Sequence, residues 1–336
     1  MSEDRPVQGA PPEARDRGAD TRSAPDLQVR GEPPSRVRIR EVGPRDGFQN
    51  EPEVIATADK VRLIELLAKS GLRRIEVTSF VRSDLIPQLS DAEQVLAAVS
   101  LPPSVSVSVL IPNERGLERA LRVRDRFHEI NGFLSASETH NLRNVGRSVD
   151  DSLSGLERTF GRALDERLRC EGVVSVAFGC PYEGQVPRSR VFEIAARLAA
   201  AGAAEVAFGD TTGMANPLQV REFFVAARES LPEVELTAHF HNTRGQGLAN
   251  VLAALEAGIS SFESSFGELG GCPVPRGATG NIATEDLVSM LHEMGIATGV
   301  ELGALLDASR AAQKVLGRPL RSHLLAAGPV DWRPRR

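Results

Sequence analysis

The chain has 336 residues, of which 41% are hydrophobic and 25% are charged, a composition typical of soluble globular proteins. This length suits one large α/β barrel or two medium-sized domains. A formal net charge of −5 without a long basic run argues against a nucleic-acid partner and against a membrane-surface partner. The sequence also contains no apolar stretch of the roughly 18 residues that a membrane-spanning helix needs.

The cysteines and the N-terminal composition indicate a cellular compartment. Cys170, Cys180 and Cys272 form neither a Cys-x-x-Cys motif nor a paired framework. Unpaired cysteines are typical of a reducing compartment. Residues 1–36 lack the apolar core of a secretory signal. We therefore expect a cytoplasmic protein.

Composition also divides the chain into a domain and two tails. Residues 1–36 are rich in arginine, proline, glycine and acidic residues and contain few large apolar side chains. Such a segment buries too little surface to offset the entropy lost on ordering, so we predict a disordered N-terminal tail. The ordered domain is predicted over residues 37–326. The proline- and arginine-rich residues 327–336 are predicted to form a frayed C-terminal tail.

From residue 37 onward the apolar pattern alternates between strand and helix. Short β-branched or alternating runs predict eight strands. In chain order they are 37–42, 75–80, 105–111, 127–136, 173–178, 205–210, a seventh beginning at 237, and 261–266. Helices are predicted at 58–70, 91–99, 113–124, 149–168, 188–201, 217–230, 246–257, 284–294 and 301–316.

Eight strand-then-helix units predict a (β/α)₈ TIM barrel of the α/β class, with an extra C-terminal helix over 301–316. A doubly wound open sheet is the alternative. Polar residues follow almost every strand rather than one switch point, which favours the barrel.

The seventh strand carries His239 and His241. Side chains two residues apart in a strand point to the same face, so the two imidazoles are expected side by side. Two imidazoles at a strand end can provide half of a divalent-metal site. The alternative is one buried histidine and one that faces a loop.

Active sites of (β/α)₈ barrels lie at the carboxyl ends of the strands. The candidates there are Asp46, Glu76, Asp210, His239, His241, Cys272 and Asn281. An aspartate, two imidazoles and an amide oxygen form a ligand set that suits Mg²⁺ or Mn²⁺. Zinc more often recruits thiolates or a third imidazole.

Several candidates also have a purely structural interpretation. Asp46, Asp210 and Asn281 each stand beside glycine and could be turn or cap residues. Arg45 could be a solvated loop charge. Glu76 is different, because an unpaired carboxylate inside a β-branched strand is costly and indicates a specific partner. Cys272 lies in a glycine-rich loop that can carry a thiol over a barrel mouth, or it is an ordinary surface cysteine.

Six motifs give the chain a family resemblance. They are Glu-Val-Gly-Pro-Arg-Asp-Gly-Phe-Gln-Asn-Glu at 41–51, Ile-Glu-Val-Thr-Ser-Phe at 75–80, Gly-Cys-Pro-Tyr-Glu-Gly at 179–184, His239-x-His241, Gly-Gly-Cys-Pro at 270–273 and Gly-Asn-Ile-Ala-Thr-Glu-Asp-Leu-Val at 280–288. With these motifs the chain resembles the hydroxymethylglutaryl-CoA lyases, metal-dependent barrel lyases of the Arg-Asp loop superfamily. The matching stretches run from about residue 39 to residue 317.

The resemblance implies a role for each matching residue. The ligands of a divalent cation, Mg²⁺ or Mn²⁺, would be Asp46, His239, His241 and Asn281. Arg45 would hold and polarise the thioester carbonyl of an acyl-CoA substrate, and Ser79 would also bind substrate. Glu76 and Asp210 would support the site, and Cys272 would transfer a proton. A homodimer is also expected from the resemblance.

The implied reaction is cleavage of 3-hydroxy-3-methylglutaryl-CoA to acetyl-CoA and acetoacetate. Asn242, Arg244 and the stretch 274–276 depart from the residues that many such lyases carry there. The first alternative is therefore the same chemistry on another 3-hydroxy-3-substituted acyl-CoA. A Claisen-type synthase that joins acetyl-CoA to a 2-oxo acid is the second, and a non-catalytic binding barrel is the third.

Overall fold

Eight parallel strands close into a barrel in the order of the chain in a computed structural model, which describes residues 32–271 and 279–332. The strands are β1 (Arg38–Glu41), β2 (Arg74–Ser79), β3 (Ser106–Leu110), β4 (Glu129–Ser135), β5 (Arg169–Ser175), β6 (Ala203–Asp210), β7 (Glu235–Phe240) and β8 (Ser261–Ser264). β1 pairs with both β2 and β8, which closes the barrel. The predicted (β/α)₈ barrel is confirmed.

Helices surround the barrel in the described part of the chain. They are α1 (Thr57–Lys69), α2 (Ala92–Ala98), α3 (Glu114–Ala120), α4 (Glu138–Val145), α5 (Val149–Asp165), α6 (Arg188–Ala200), α7 (Pro217–Ser230), α8 (Gly247–Glu256), α9 (Thr284–Glu293), α10 (Leu302–Leu316) and α11 (His323–Ala327). α10 is the predicted extra C-terminal helix. It packs against α1, next to the point where the barrel closes.

The fifth strand begins four residues earlier than its apolar pattern predicts. The sequence indicates a strand over 173–178, whereas β5 begins at Arg169 and ends at Ser175. The reason is that Arg169 and Glu171 point into the barrel, where they meet other charged side chains instead of an apolar core. Cys170, between them, is fully buried on the strand.

The apolar pattern of the sequence does not predict two short helices, α4 and α11. α4 is polar, and capping residues rather than an apolar stripe define it. Ser137 accepts a hydrogen bond from the backbone N–H of His140 at its start, and Gly146 ends it with a left-handed backbone at φ +70°. α11 begins in the same way at Ser322, whose hydroxyl accepts from the N–H of Leu325.

The apolar core lies between the strands and the helices rather than inside the barrel. Its aromatic part is a set of phenylalanine rings that joins β6 and β7 to α6 and α7. Ring centroids in this set are 4.6–6.1 Å apart, and its members are Phe178, Phe192, Phe208, Phe223, Phe224 and Phe240. Burying such rings provides much of the stability of a fold this size.

Charged groups fill the amino-terminal half of the barrel interior. Arg40 of β1 is fully buried and forms ion pairs with four glutamates from four other strands, Glu129, Glu171, Glu205 and Glu263. Because the amino-terminal half is occupied, the carboxyl ends of the strands are the side where polar loops can build a site.

The terminal boundaries predicted from composition stay predictions. Residues 1–31 and 333–336 lie outside the described part of the chain. Within it, the backbone is already paired just before β1, where the N–H of Ala297 donates to the carbonyl of Ser35. None of the described helices is both long and apolar enough to cross a membrane.

Candidate metal and acyl-CoA site

The loop after β1 is held in place by the last residue of that strand. Oε1 of Glu41 accepts hydrogen bonds from the N–H of Gly43 at 2.8 Å and of Phe266 at 3.0 Å, and Oε2 accepts from the hydroxyl of Thr284 at 2.6 Å. A Cβ at Gly43 would stand 2.5 Å from the Phe266 ring, so only glycine allows this approach. Glu41 thus ties the loop that carries Asp46 to the segment after β8.

Asp46 meets the two histidines of the seventh strand at the barrel mouth. Each of the three side chains offers one ligand atom, and these atoms lie within 4.8 Å of one another. Nε2 of His239 and Nε2 of His241 are 3.1 Å apart. Both imidazoles therefore point to one place, as the strand periodicity predicts, and the alternative of one loop-facing histidine is not observed.

Asn281 completes this cluster from the segment after the glycine-rich loop. Its Nδ2 donates to Oδ2 of Asp46 at 2.7 Å and to the carbonyl of Leu269 at 3.1 Å. Its Oδ1 is buried without a hydrogen-bond partner among the described residues. A buried carbonyl oxygen without a donor is unfavourable unless another group, such as a cation, satisfies it. Asn281 also forms a backbone bridge to His241, which holds the two residues next to each other.

Arg45 and Glu76 form an ion pair beside the cluster. Nε of Arg45 donates to Oε2 of Glu76 at 2.7 Å, and Nη1 donates to Oδ1 of Asp46 at 2.6 Å. Nη2 has no hydrogen-bond acceptor in the described part of the chain. Glu76 also accepts from Nδ2 of Asn131 on β4 at 2.9 Å. The specific partner that a strand-borne carboxylate requires is therefore Arg45.

Electrostatics give the two histidines different protonation behaviour. Burial and the neighbouring His239 together lower the pKa of His241 to about 3, against the opposite effect of Asp46. Burial also acts to lower the pKa of His239, but the hydrogen bond and charge of Glu263 together with the charge of Asp46 outweigh it, and the pKa is raised. Arg45 and the histidines lower the pKa of Asp46 against the opposite effect of burial. His241 is thus neutral and Asp46 ionised at neutral pH, the forms in which both bind cations.

Asp210 lies at the end of β6 and shapes the next turn. Its Oδ1 accepts from the N–H groups of Met214 at 2.7 Å and Ala215 at 3.1 Å, as the cap interpretation predicts. Its Oδ2 is buried without a partner among the described residues, and burial raises the pKa of Asp210 to about 7. The carboxyl thus changes charge near neutral pH.

Ser79 and Cys272 remain predictions as substrate-site residues. Ser79 is buried, and its hydroxyl accepts from the N–H of Val81 at 3.1 Å, so it shapes the turn after β2. Cys272 lies outside the described residues, as does the stretch 274–276. Gly270, beside the loop, has φ +106°, and a Cβ there would stand 2.6 Å from Nδ2 of Asn281.

Sequence reasoning missed three residues that support the site. Glu263 of β8 contacts His239, Asn131 of β4 contacts Glu76, and Glu41 anchors the Arg-Asp loop. The available signal was the same for all three. Each is a polar side chain inside a strand, where burial requires a partner.

Comparison with known proteins agrees with the motifs. Residues 36–311 match the family model described as HMGL-like. The chain is 44% identical over 292 residues to the hydroxymethylglutaryl-CoA lyase of Bacillus subtilis, covering 87% of this chain and 97% of the relative. It is 40% identical over 294 residues to the mitochondrial hydroxymethylglutaryl-CoA lyase of Homo sapiens, covering 88% and 90%.

Solved structures show the same relationship. The crystal structure of the Bacillus subtilis HMG-CoA lyase superposes with a TM-score of 0.86 at 43% identity, covering 88% of this chain and 99% of that one. An HMG-CoA lyase from Acinetobacter baumannii, in complex with coenzyme A and 3-methylmalate, gives 0.84 at 40% identity, covering 90% and 98%. The chain therefore belongs to the HMGL-like family of lyases, as its resemblance to the hydroxymethylglutaryl-CoA lyases implied.

Proposed function

We propose that this protein is a divalent-metal-dependent carbon–carbon lyase that cleaves 3-hydroxy-3-methylglutaryl-CoA to acetyl-CoA and acetoacetate. Identities of 41–44% over most of the chain to proteins named hydroxymethylglutaryl-CoA lyase support this reaction. The observation that carries the proposal is the convergence of Asp46, His239 and His241 beside the Arg45 guanidinium.

The donor set supports Mg²⁺ or Mn²⁺ as the cation, held by Asp46, His239, His241 and Asn281. The fit rests on the mutual approach of these side chains and on Oδ1 of Asn281, which is buried without a partner among the described residues. When bound, such a cation supplies Lewis acidity that lowers the pKa of the tertiary hydroxyl of the substrate.

The reaction breaks the bond between C2 and C3 of the acyl chain. The 3-hydroxyl loses its proton to a base, and C3 becomes the ketone carbon of acetoacetate. The bonding electrons move onto C2 and the thioester oxygen as the enolate of acetyl-CoA. A general acid then protonates C2, and we keep Cys272 as the predicted proton carrier.

Arg45 stabilises the enolate in this proposal. Its Nε and Nη1 are engaged by Glu76 and Asp46, which leaves Nη2 to donate to the thioester oxygen. The two carboxylates hold the guanidinium in place before the charge develops, so little reorganisation accompanies the reaction. Asn131 fixes Glu76 in turn. Asp210 has a supporting part, through the turn that it caps.

Asn242 and Arg244, which depart from the usual lyase pattern, give no support to a different acyl group. Nη1 of Arg244 donates to the carbonyls of Thr212 at 2.8 Å and Gly213 at 2.6 Å. Nδ2 of Asn242 lies 3.2 Å from Glu268, and its Oδ1 accepts from the N–H that begins α8. Both side chains are engaged in holding loops.

The relative from Acinetobacter baumannii contains coenzyme A, which supports an acyl-CoA substrate for this chain as well. We keep the homodimer and the cytoplasmic compartment as expectations. The former comes from the resemblance and the latter from the unpaired cysteines.

The test is acetyl-CoA release from 3-hydroxy-3-methylglutaryl-CoA by protein that was stripped with a chelator and reloaded with Mg²⁺ or Mn²⁺. We expect release only with metal, no release by His241→Ala, and full release by His292→Ala. His292 is the matched control because it is exposed, and its side chain hydrogen-bonds to Thr298 rather than to any of the proposed ligands. Absence of release with metal bound would refute the substrate, and other branched 3-hydroxyacyl-CoAs would be tried next. Metal-independent release would refute the mechanism.

A further inference from the structure

Three residues in register on neighbouring strands connect the metal-site cluster to the buried charges of the barrel interior. His239 of β7 is the in-register partner of Glu263 of β8, and Glu263 is the in-register partner of Arg40 of β1. The three side chains therefore stand side by side on three neighbouring strands, at a level that the barrel hydrogen bonding sets.

The contacts along this row are continuous. Oε2 of Glu263 lies 2.8 Å from Nδ1 of His239, and Oε1 lies 3.1 Å from Nη1 of Arg40. Glu263 is 3% exposed and Arg40 is 1% exposed, so water does not compete for either contact. Each oxygen of the carboxylate has its own partner, and the carboxylate cannot rotate without breaking one of the two bonds.

A carboxylate that accepts from Nδ1 of an imidazole selects the tautomer with the proton on Nδ1. The unprotonated Nε2 then points the other way, and in this barrel that direction is towards His241 and Asp46. Carboxylates that orient metal-binding histidines in this manner raise ligand basicity, and their loss typically weakens metal affinity about 10- to 100-fold.

We propose that Glu263, anchored by Arg40, is a positioning residue that holds His239 in the tautomer and orientation needed to bind the cation. The inference rests on the proposed function, because it requires His239 to be a ligand. In this proposal the buried pair of Arg40 and Glu263 supports metal binding as well as filling the barrel interior.

The barrel offers a matched control in Glu171 of β5. Glu171 is fully buried and forms an ion pair with the same Arg40, but it does not contact His239. Glu171→Gln and Glu263→Gln therefore each replace a carboxyl group that contacts Arg40, and only Glu263→Gln replaces the one that faces the histidine.

The experiment is titration of the chelator-stripped full chain with Mn²⁺, followed by calorimetry, for the unmutated protein and both variants. Circular dichroism and thermal unfolding report whether each variant is folded. We expect Glu263→Gln to bind Mn²⁺ about 10- to 100-fold more weakly and Glu171→Gln to bind within about twofold of the unmutated protein. Equal affinities in the two variants would overturn the proposal, because a merely structural charge would affect both alike.

A second measurement keeps the inference testable where Glu263→Gln does not fold. Nitrogen-15 spectra of the unmutated chain loaded with Mg²⁺ report which ring nitrogen of His239 carries the proton, with His239→Asn for assignment. A proton on Nδ1 supports the proposal, and an unprotonated Nδ1 refutes it.

Failure of this inference is distinguishable from failure of the proposed function. If the unmutated chain binds no Mn²⁺, or if His241→Ala binds it equally well, the ligand assignment itself is wrong. If His241→Ala loses binding and Glu263→Gln does not, only the positioning role is wrong.

Discussion

Replacing Arg45 by methionine is expected to destabilise the fold through Glu76. Nε of Arg45 lies 2.7 Å from a carboxylate whose side chain is fully buried. Without the guanidinium, that carboxylate keeps a single donor among the described residues, Nδ2 of Asn131. Removing one partner of a buried ion pair costs about 3–5 kcal/mol, because the other charge is left uncompensated. We expect a loss of this size in the free energy of unfolding near pH 8.

The size of this loss depends on pH. Burial raises the pKa of Glu76 and Arg45 opposes that effect, so removing Arg45 raises the folded-state pKa further. A carboxyl whose folded pKa exceeds its unfolded value near 4.5 is neutral in both states below that pH. The uncompensated charge, and with it the destabilisation, develops as pH rises. Arg45→Met should therefore be closer to the unmutated protein in stability at about pH 5.5 than at about pH 8.

A double-mutant cycle tests this reasoning by urea unfolding. Arg45→Met combined with Glu76→Gln removes the uncompensated charge and should be more stable near pH 8 than Arg45→Met alone. Turnover should fall about 10²- to 10³-fold in both Arg45 variants, since neither stabilises the enolate. Arg82→Met, which removes an exposed arginine paired with Asp84, is the control and should leave the stability nearly unchanged. A double variant no more stable than Arg45→Met would refute the account.

Three other expectations follow from buried groups. Burial raises the pKa of Glu41 to about 8. The protonated carboxyl therefore contributes its full stabilisation below about pH 4.5, and this contribution is lost as pH rises to about 8. Glu41→Gln, which resembles the protonated form, should flatten the dependence of urea-unfolding stability on pH across this window, and unchanged slopes would contradict the assignment. Asn281→Asp places a second carboxylate against Asp46, so the Tm of the metal-free protein should fall. Mn²⁺ should then raise the Tm more than it does in the unmutated protein. An equal or smaller rise would count against Asn281 as a ligand. Phe223→Ala removes a ring packed on four other phenylalanines and should cost about 3–5 kcal/mol in chemical denaturation. Val225→Ala, exposed on the same helix, should cost less than about 0.5 kcal/mol, and equal costs would show that the ring cluster is not critical.

The supporting residues show where prediction from sequence reaches its limit. Glu263 is one of three polar residues in a four-residue strand, and its partner Arg40 is 223 positions away. No local spacing relates the two. Their contact exists because barrel closure places β8 beside β1 in a particular register. The same holds for Asn131 and Glu76, which come from strands that are not neighbours in the sheet.

The amino-acid sequence by itself determined the alternation of strands and helices, the closed barrel and the shared direction of His239 and His241. The alternation and the shared direction depend on periodicities of two and 3.6 residues, which are local properties of the chain, and the barrel follows from the count of eight strand-then-helix units. The sequence also supplied the motifs that identify the family.

Only the tertiary structure decided the start of β5 and the partners of the buried charges. Apolar periodicity assumes an apolar interior, and Arg169 and Glu171 face an interior that is charged. Whether a buried carboxylate is neutral, paired or ready to orient a ligand depends on which distant side chain lies within about 3 Å of it. That distance is a property of the closed barrel, and no short stretch of the chain contains it.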